Sequence, residues 1–114
     1  MSLLDELAAV LEARKQESPD TSYVASLYQG GTNRILQKIG EESAELMIAG
    51  KDNCATYGLQ NNQSREEVVK ETADLWFHCM VLLAHQGLSH TDVIEELAAR
   101  FGISGHEEKA GRSP

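Results

Sequence analysis

Proline is almost missing from this chain: Pro19 and Pro114 are the only two in 114 residues, so nothing between them forbids long helices on covalent grounds. Cysteine is equally scarce. Cys54 and Cys79 have neither CxxC spacing nor a disulfide-rich setting, and are expected to be two reduced thiols without redox or zinc chemistry. Aromatic residues make up 5%, and basic residues are outnumbered 18 to 10, leaving a net charge of −8. That balance excludes a long nucleic acid as partner, because such a ligand demands a basic stripe to replace its phosphate counterions. No apolar run is long enough to span a bilayer, and the amino-terminal stretch "MSLLDELAAV" carries Asp5 and Glu6 where a secretory signal would be basic. The expectation is a cytoplasmic protein with no membrane partner.

What is present is helical periodicity. The apolar share of 41% and charged share of 25% are those of a globular domain, and the length suits one core. Residues 1–101 are expected to form one all-α domain of four to five helices, with residues 102–114 as a short, polar, disordered tail. Ser2 and Asp5 predict a cap for a first helix from about Leu3 to Glu17. A short helical piece follows around Tyr23 to Tyr28; Gly30-Gly31 predict a break, and Thr32 a cap for a longer helix that stops at Gly50. The Asn-rich run "KDNCATYGLQNNQ", residues 51–63, reads as a mobile loop. Ser64 and Glu67 fit the S-x-x-E box of the longest helix, which should end before Gly87, and Ser89 with Asp92 caps the last. Within the longest helix, "ADLWFHCMVLLA" is apolar on nearly every side. In so small a domain this predicts a four-helix-bundle-type core completed by dimerisation.

The acids carry the sharper signal. On a wheel at roughly 100° per residue with Ile35 as zero, Glu42 falls near −20° on the apolar stripe. Lys38 and Glu45 follow at about −60° and −80°, and Glu41 at about −120° is turned toward solvent. With Val68 as zero on the long helix, Glu71, His78 and Asp74 lie at about −60°, −80° and −120° along the edge of the core face. Two helices thus present i, i+3 carboxylate pairs beside apolar seams, and antiparallel packing would let Glu42, Glu45, Glu71 and Asp74 converge. Four converging carboxylates cannot all stay ionised without a cation, and a hard ion that prefers oxygen, Mg²⁺ or Mn²⁺, meets the need. The bland alternative is a solvated face in which these acids pair with Lys38 and Lys70. A di-iron carboxylate site is excluded, since none of His78, His85, His90 or His106 has a Glu three residues before it.

Glu41-Glu42-x-x-Glu45 followed by Glu71-x-x-Asp74 is similar to the EExxE…ExxD signature of the all-α, MazG-like nucleotide pyrophosphohydrolases. The flanking text, "SYVASLYQGGTNRILQKIGEESAEL", "IAGK", "ETADLWFHCMVLLAHQGLS" and "DVIEELAARF", covers most of the chain from Ser22 to Phe101 and most resembles the phosphoribosyl-ATP pyrophosphatases. The resemblance implies an α-helical homodimer that uses Mg²⁺ to split phosphoribosyl-ATP into phosphoribosyl-AMP and pyrophosphate, the second step of histidine biosynthesis. It implies metal binding by Glu42, Glu45, Glu71 and Asp74, with Glu41 as a further ligand, and contacts to substrate phosphate from Lys38 and Lys51. Glu42 or Glu45 is expected to orient or deprotonate the attacking water. His78, on the strip with Glu71 and Asp74, can orient a ligand, meet a phosphate or serve as a satisfied core group. Trp76 and Phe77 read as core or interface residues. The loop at 51–63 looks longer than in compact relatives. Two rivals stand beside this reading: a housekeeping NTP or dUTP pyrophosphatase, and a non-catalytic helical dimerisation module.

Overall fold

The computed structural model describes residues 2–57 and 60–103, and among them every regular element is helical. Helix α1, Leu3–Ala13, begins on the expected capping box, in which the Asp5 amide donates to Ser2 Oγ and the Ser2 amide to Asp5 Oδ2, each at 3.1 Å. It ends at Ala13 rather than Glu17, and a single 3-10 turn, Arg14–Gln16, carries the chain toward Pro19.

Helix α2, Tyr23–Asp52, is capped by Ser22 and broken at Gly31, whose φ of 81° and ψ of −174° are accessible essentially to glycine alone. The break expected at Gly30-Gly31 is there, but Gly31 takes it alone and Thr32 already lies in helix. Gly50 does not stop the second arm. Its backbone stays in the ordinary helical region, and the helix runs to Asp52.

Helix α3, Asn62–His85, starts earlier than Ser64-x-x-Glu67 predicts. Asn61 is the cap, its side chain accepting from the Ser64 amide at 2.9 Å, and Ser64 plays the part usually given to Glu or Gln by accepting from the Asn61 amide at 3.0 Å. The 51–63 segment is accordingly more structured than a plain loop: its ends belong to α2 and α3, and Ala55–Tyr57 form a 3-10 turn. α3 closes at Gly87, whose φ of 73° lets its amide bond back to Ala84 and the Leu88 amide to Leu83. Helix α4, His90–Arg100, opens on the expected Ser89–Asp92 box. Ile103 is held by the end of α4 through the Ala98 carbonyl; the disorder expected of the tail falls on residues 104–114, which lie outside the described residues.

α2 and α3 pack antiparallel. Ser64, at the start of α3, donates to Asn53 just past the end of α2 (2.7 Å), while Tyr23, at the start of α2, reaches His78 far along α3 (2.9 Å). The core gathers Leu11, Val24, Leu27, Ile35, Met80 and Val81, so α1, both arms of α2 and α3 share one apolar centre. Two polar ties fix the periphery: Tyr28 donates to the Leu11 carbonyl at 2.8 Å, and His90 Nε2 meets Asp5 Oδ1 at 2.7 Å. The bonds from Ser2 and His90 hold the Asp5 carboxyl below its ordinary range. Among the described residues, the apolar ring around α3 is not closed. Phe77 packs against the core, whereas Trp76 is 60% exposed and Val69, Met47, Ile48 and Phe101 stand out with it.

Candidate functional site

Antiparallel packing brings the i, i+3 pair of α2 against Glu71 of α3. One carboxylate oxygen from each of Glu42, Glu45 and Glu71 lies within 4.8 Å of the other two. Glu42 is 7% exposed and Glu71 6%, while Glu45 opens to solvent. The burial of Glu42 is what its place on the apolar stripe of the wheel predicts.

The cluster is electrostatically incomplete. Among the described residues, nothing donates to the buried Glu42 Oε2 and Glu71 Oε2, although an unpaired buried acceptor costs roughly 1–3 kcal/mol and more when charged. Glu45 responds as a crowded acid does. The Glu71 carboxyl, close enough to share a proton with it, together with the charges of Glu42 and Glu71, pushes the Glu45 carboxyl above its ordinary range. Lys70 offsets part of the charge from outside, its Nζ 3.4 Å from Glu71 Oε1, and Glu67 and Glu71 raise the lysine in turn. Two buried, partnerless carboxylate oxygens and a third acid that takes up protons are the donor set a hard divalent cation fits.

The other residues singled out in the sequence are placed differently. Asp74 is half-buried one turn beyond Glu71, and its carboxylate is outside the three-acid group; its carbonyl, not its side chain, accepts from His78 Nδ1 at 2.9 Å. Glu41 faces solvent, as its wheel angle predicts, and binds Lys38 Nζ at 3.1 Å. That hydrogen bond lowers the Glu41 carboxyl and raises the Lys38 amine, whose charge also feels Tyr23 and Glu42. Lys51 is exposed in the last turn of α2. His78 is buried, its Nε2 on the Tyr23 hydroxyl and its Nδ1 3.9 Å from Glu42 Oε1.

Beside the acids lies a cavity of about 400 Å³ lined by Glu45, Ile48, Ala49, Asp52, Asn61, Gln63, Ser64, Glu67 and Glu71. A volume of this order suits a small-molecule ligand. Asp52 and Glu67 were not among the residues the sequence brought forward, yet the signal was there: they stand seven residues after Glu45 and four before Glu71, on the same helical faces. Tyr23 had no such signal, since its partner is 55 residues away.

Residues 4–101 match the family described as phosphoribosyl-ATP pyrophosphohydrolase. The chain is also 56% identical over 111 residues to a phosphoribosyl-ATP pyrophosphatase of Hydrogenovibrio crunogenus, an alignment that covers 97% of this chain and 93% of that relative. The acids that the geometry gathers thus lie inside a match that runs from residue 4 to residue 101, and the chain belongs to the phosphoribosyl-ATP pyrophosphohydrolase family.

Proposed function

We propose that this protein hydrolyses phosphoribosyl-ATP to phosphoribosyl-AMP and pyrophosphate, the second step of histidine biosynthesis, with a divalent cation, Mg²⁺ or Mn²⁺, held by Glu42, Glu45 and Glu71. Family membership and the named relative support the reaction. The observation that carries the site is the pair of buried carboxylate oxygens without a partner. When bound, the cation neutralises phosphate charge that builds up as the bond between the α- and β-phosphates breaks.

The chain's own residues supply the rest. Glu42 and Glu71, fixed in the α2–α3 seam, hold position; Glu45, which lines the cavity and opens to solvent, takes the proton of the attacking water. Lys38, now engaged with Glu41 on the flank of Glu42, supplies positive charge for a phosphate. Asp74 and Glu41 are one turn from the central acids and serve as outer ligands or hold bound water. The cavity wall of Ile48 and Ala49 excludes water from one side of the substrate.

A second copy of the chain completes the core. The radius of gyration is 17.2 Å, against about 13 Å for a compact domain of this length, and the exposed Trp76, Val69, Met47 and Ile48 lie on the two helices that carry the acids. The protein acts in the cytoplasm, where ATP-derived substrates are made; among the described residues no helix is long and apolar enough to cross a membrane. The test of the substrate is a comparison of phosphoribosyl-ATP with dUTP and the common NTPs under the same Mg²⁺ conditions. Phosphoribosyl-ATP is expected to be turned over far faster, and equal or better turnover of ordinary NTPs would overturn the assignment.

A further inference from the structure

Beneath the acid cluster is a polar chain that the reaction has not yet used. The Tyr23 hydroxyl meets His78 Nε2 at 2.9 Å, His78 Nδ1 meets the Asp74 carbonyl at 2.9 Å, and the same Nδ1 stands 3.9 Å from Glu42 Oε1. A carbonyl only accepts, so the proton is on Nδ1, and Nε2 is left to accept from the Tyr23 hydroxyl. The imidazole is 5% exposed, held at both nitrogens and boxed edge-on by Tyr23 and Phe77. Glu42 therefore stands beside a ring that cannot turn, whose Nδ1–H is held by the Asp74 carbonyl so that no lone pair at Nδ1, 3.9 Å away, faces the carboxylate.

We propose that Tyr23 and His78 are a positioning pair for Glu42: the Asp74 carbonyl sets the His78 tautomer, the Tyr23 hydroxyl holds the far nitrogen of the ring, and the fixed ring keeps the Glu42 carboxylate among those of Glu45 and Glu71. The opposite tautomer would set a lone pair against a carboxylate, repelling it from the cluster. Such outer partners orient first ligands in many metal sites and cost about 10- to 100-fold in metal affinity when removed. The break at Gly31 has a purpose in this arrangement. It separates the arm of α2 that carries Tyr23 from the arm that carries Glu42, so that one helix reaches His78 from both sides. The inference rests on the cation reading of the three acids.

Its test uses Mn²⁺ as an EPR-visible probe on the full chain, in the unaltered protein, in Tyr23→Phe, in His78→Asn and in the double variant, with ¹⁵N NMR of the metal-free His78 ring beside it. Tyr23→Phe keeps the ring and its stack on Phe77 and deletes only the donor. It is expected to weaken Mn²⁺ binding about tenfold and to shift the His78 Nε2 resonance, which loses its donor, while the Nδ1–H tautomer held by the Asp74 carbonyl persists. Asn at 78 puts its amide near the Nδ1 position and leaves nothing at the Nε2 position that Tyr23 meets, so Tyr23→Phe should cost nothing further in that background. Unchanged Mn²⁺ affinity in Tyr23→Phe, or an equal loss in both backgrounds, overturns the pair and leaves the cation site standing. Absence of Mn²⁺ binding in the unaltered protein overturns the cation site and the pair with it.

Discussion

Replacing Glu42 by Gln should make the metal-free protein more stable and should abolish the further stabilisation that metal gives the unaltered protein. Two unit charges 4.8 Å apart repel by about 3.5 kcal/mol at an effective dielectric near 20, and Glu42 and Glu71 lie within that distance, both buried. Glu42→Gln removes that repulsion, keeps the shape, and sets a neutral amide in place of one of the crowded carboxylates. Spreading of the charge over each carboxylate and relaxation of the exposed Glu45 reduce the gain, to about 1–3 kcal/mol. At roughly 4 °C per kcal/mol for a domain of this size, the melting temperature in EDTA should rise by some 4–12 °C. With metal the advantage is offset. A site filled at a hundredfold excess over Kd stabilises the unaltered protein by about 2.7 kcal/mol, an increment that Glu42→Gln forfeits. The assay is thermal unfolding of both proteins in EDTA and in millimolar Mg²⁺, followed by circular dichroism. A variant less stable than the parent in EDTA, or a parent whose melting temperature ignores Mg²⁺, would refute the reasoning.

Glu45 makes the metal-free stability pH-dependent: its folded carboxyl binds a proton above the ordinary range, so its contribution is present below the ordinary carboxylate pKa and is lost as pH rises through the raised value. Melting temperature against pH in EDTA should therefore fall over that window, and Glu45→Gln should flatten the fall. Gly31→Ala should destabilise the fold by roughly 1–3 kcal/mol, since no other residue adopts its backbone without strain; urea unfolding reads this, and an unchanged midpoint would contradict it. Trp76→Glu, which alters a side chain 60% exposed in one chain, should convert a dimer to a monomer in sedimentation velocity while helical content persists. A parent that sediments as a monomer would sink the dimer.

Where the sequence spoke through local chemistry, it could be read. The caps at Ser2 and Ser89 depend on residues three apart, and both form as spelled. The start of α3 was misread for an equally local reason: Asn61 and Ser64 make a capping box from residue types outside the S-x-x-E pattern. A wheel orders side chains around an axis, which is enough to bury Glu42 and expose Glu41. It says nothing about height or rotamer, and so put Asp74 on equal terms with Glu71 when only Glu71 reaches the Glu42–Glu45 pair. Tyr23 could not be foreseen at all, because its approach to His78 depends on how sharply Gly31 turns the chain.

The measurement closest to the centre is release of pyrophosphate from phosphoribosyl-ATP by the unaltered protein and by Glu42→Gln, each with Mg²⁺ and with EDTA. The proposed cation site at the three acids predicts rapid release only from the unaltered protein with Mg²⁺, and near-background rates in the other three reactions. Release that persists in EDTA, or that survives Glu42→Gln undiminished, would contradict the account.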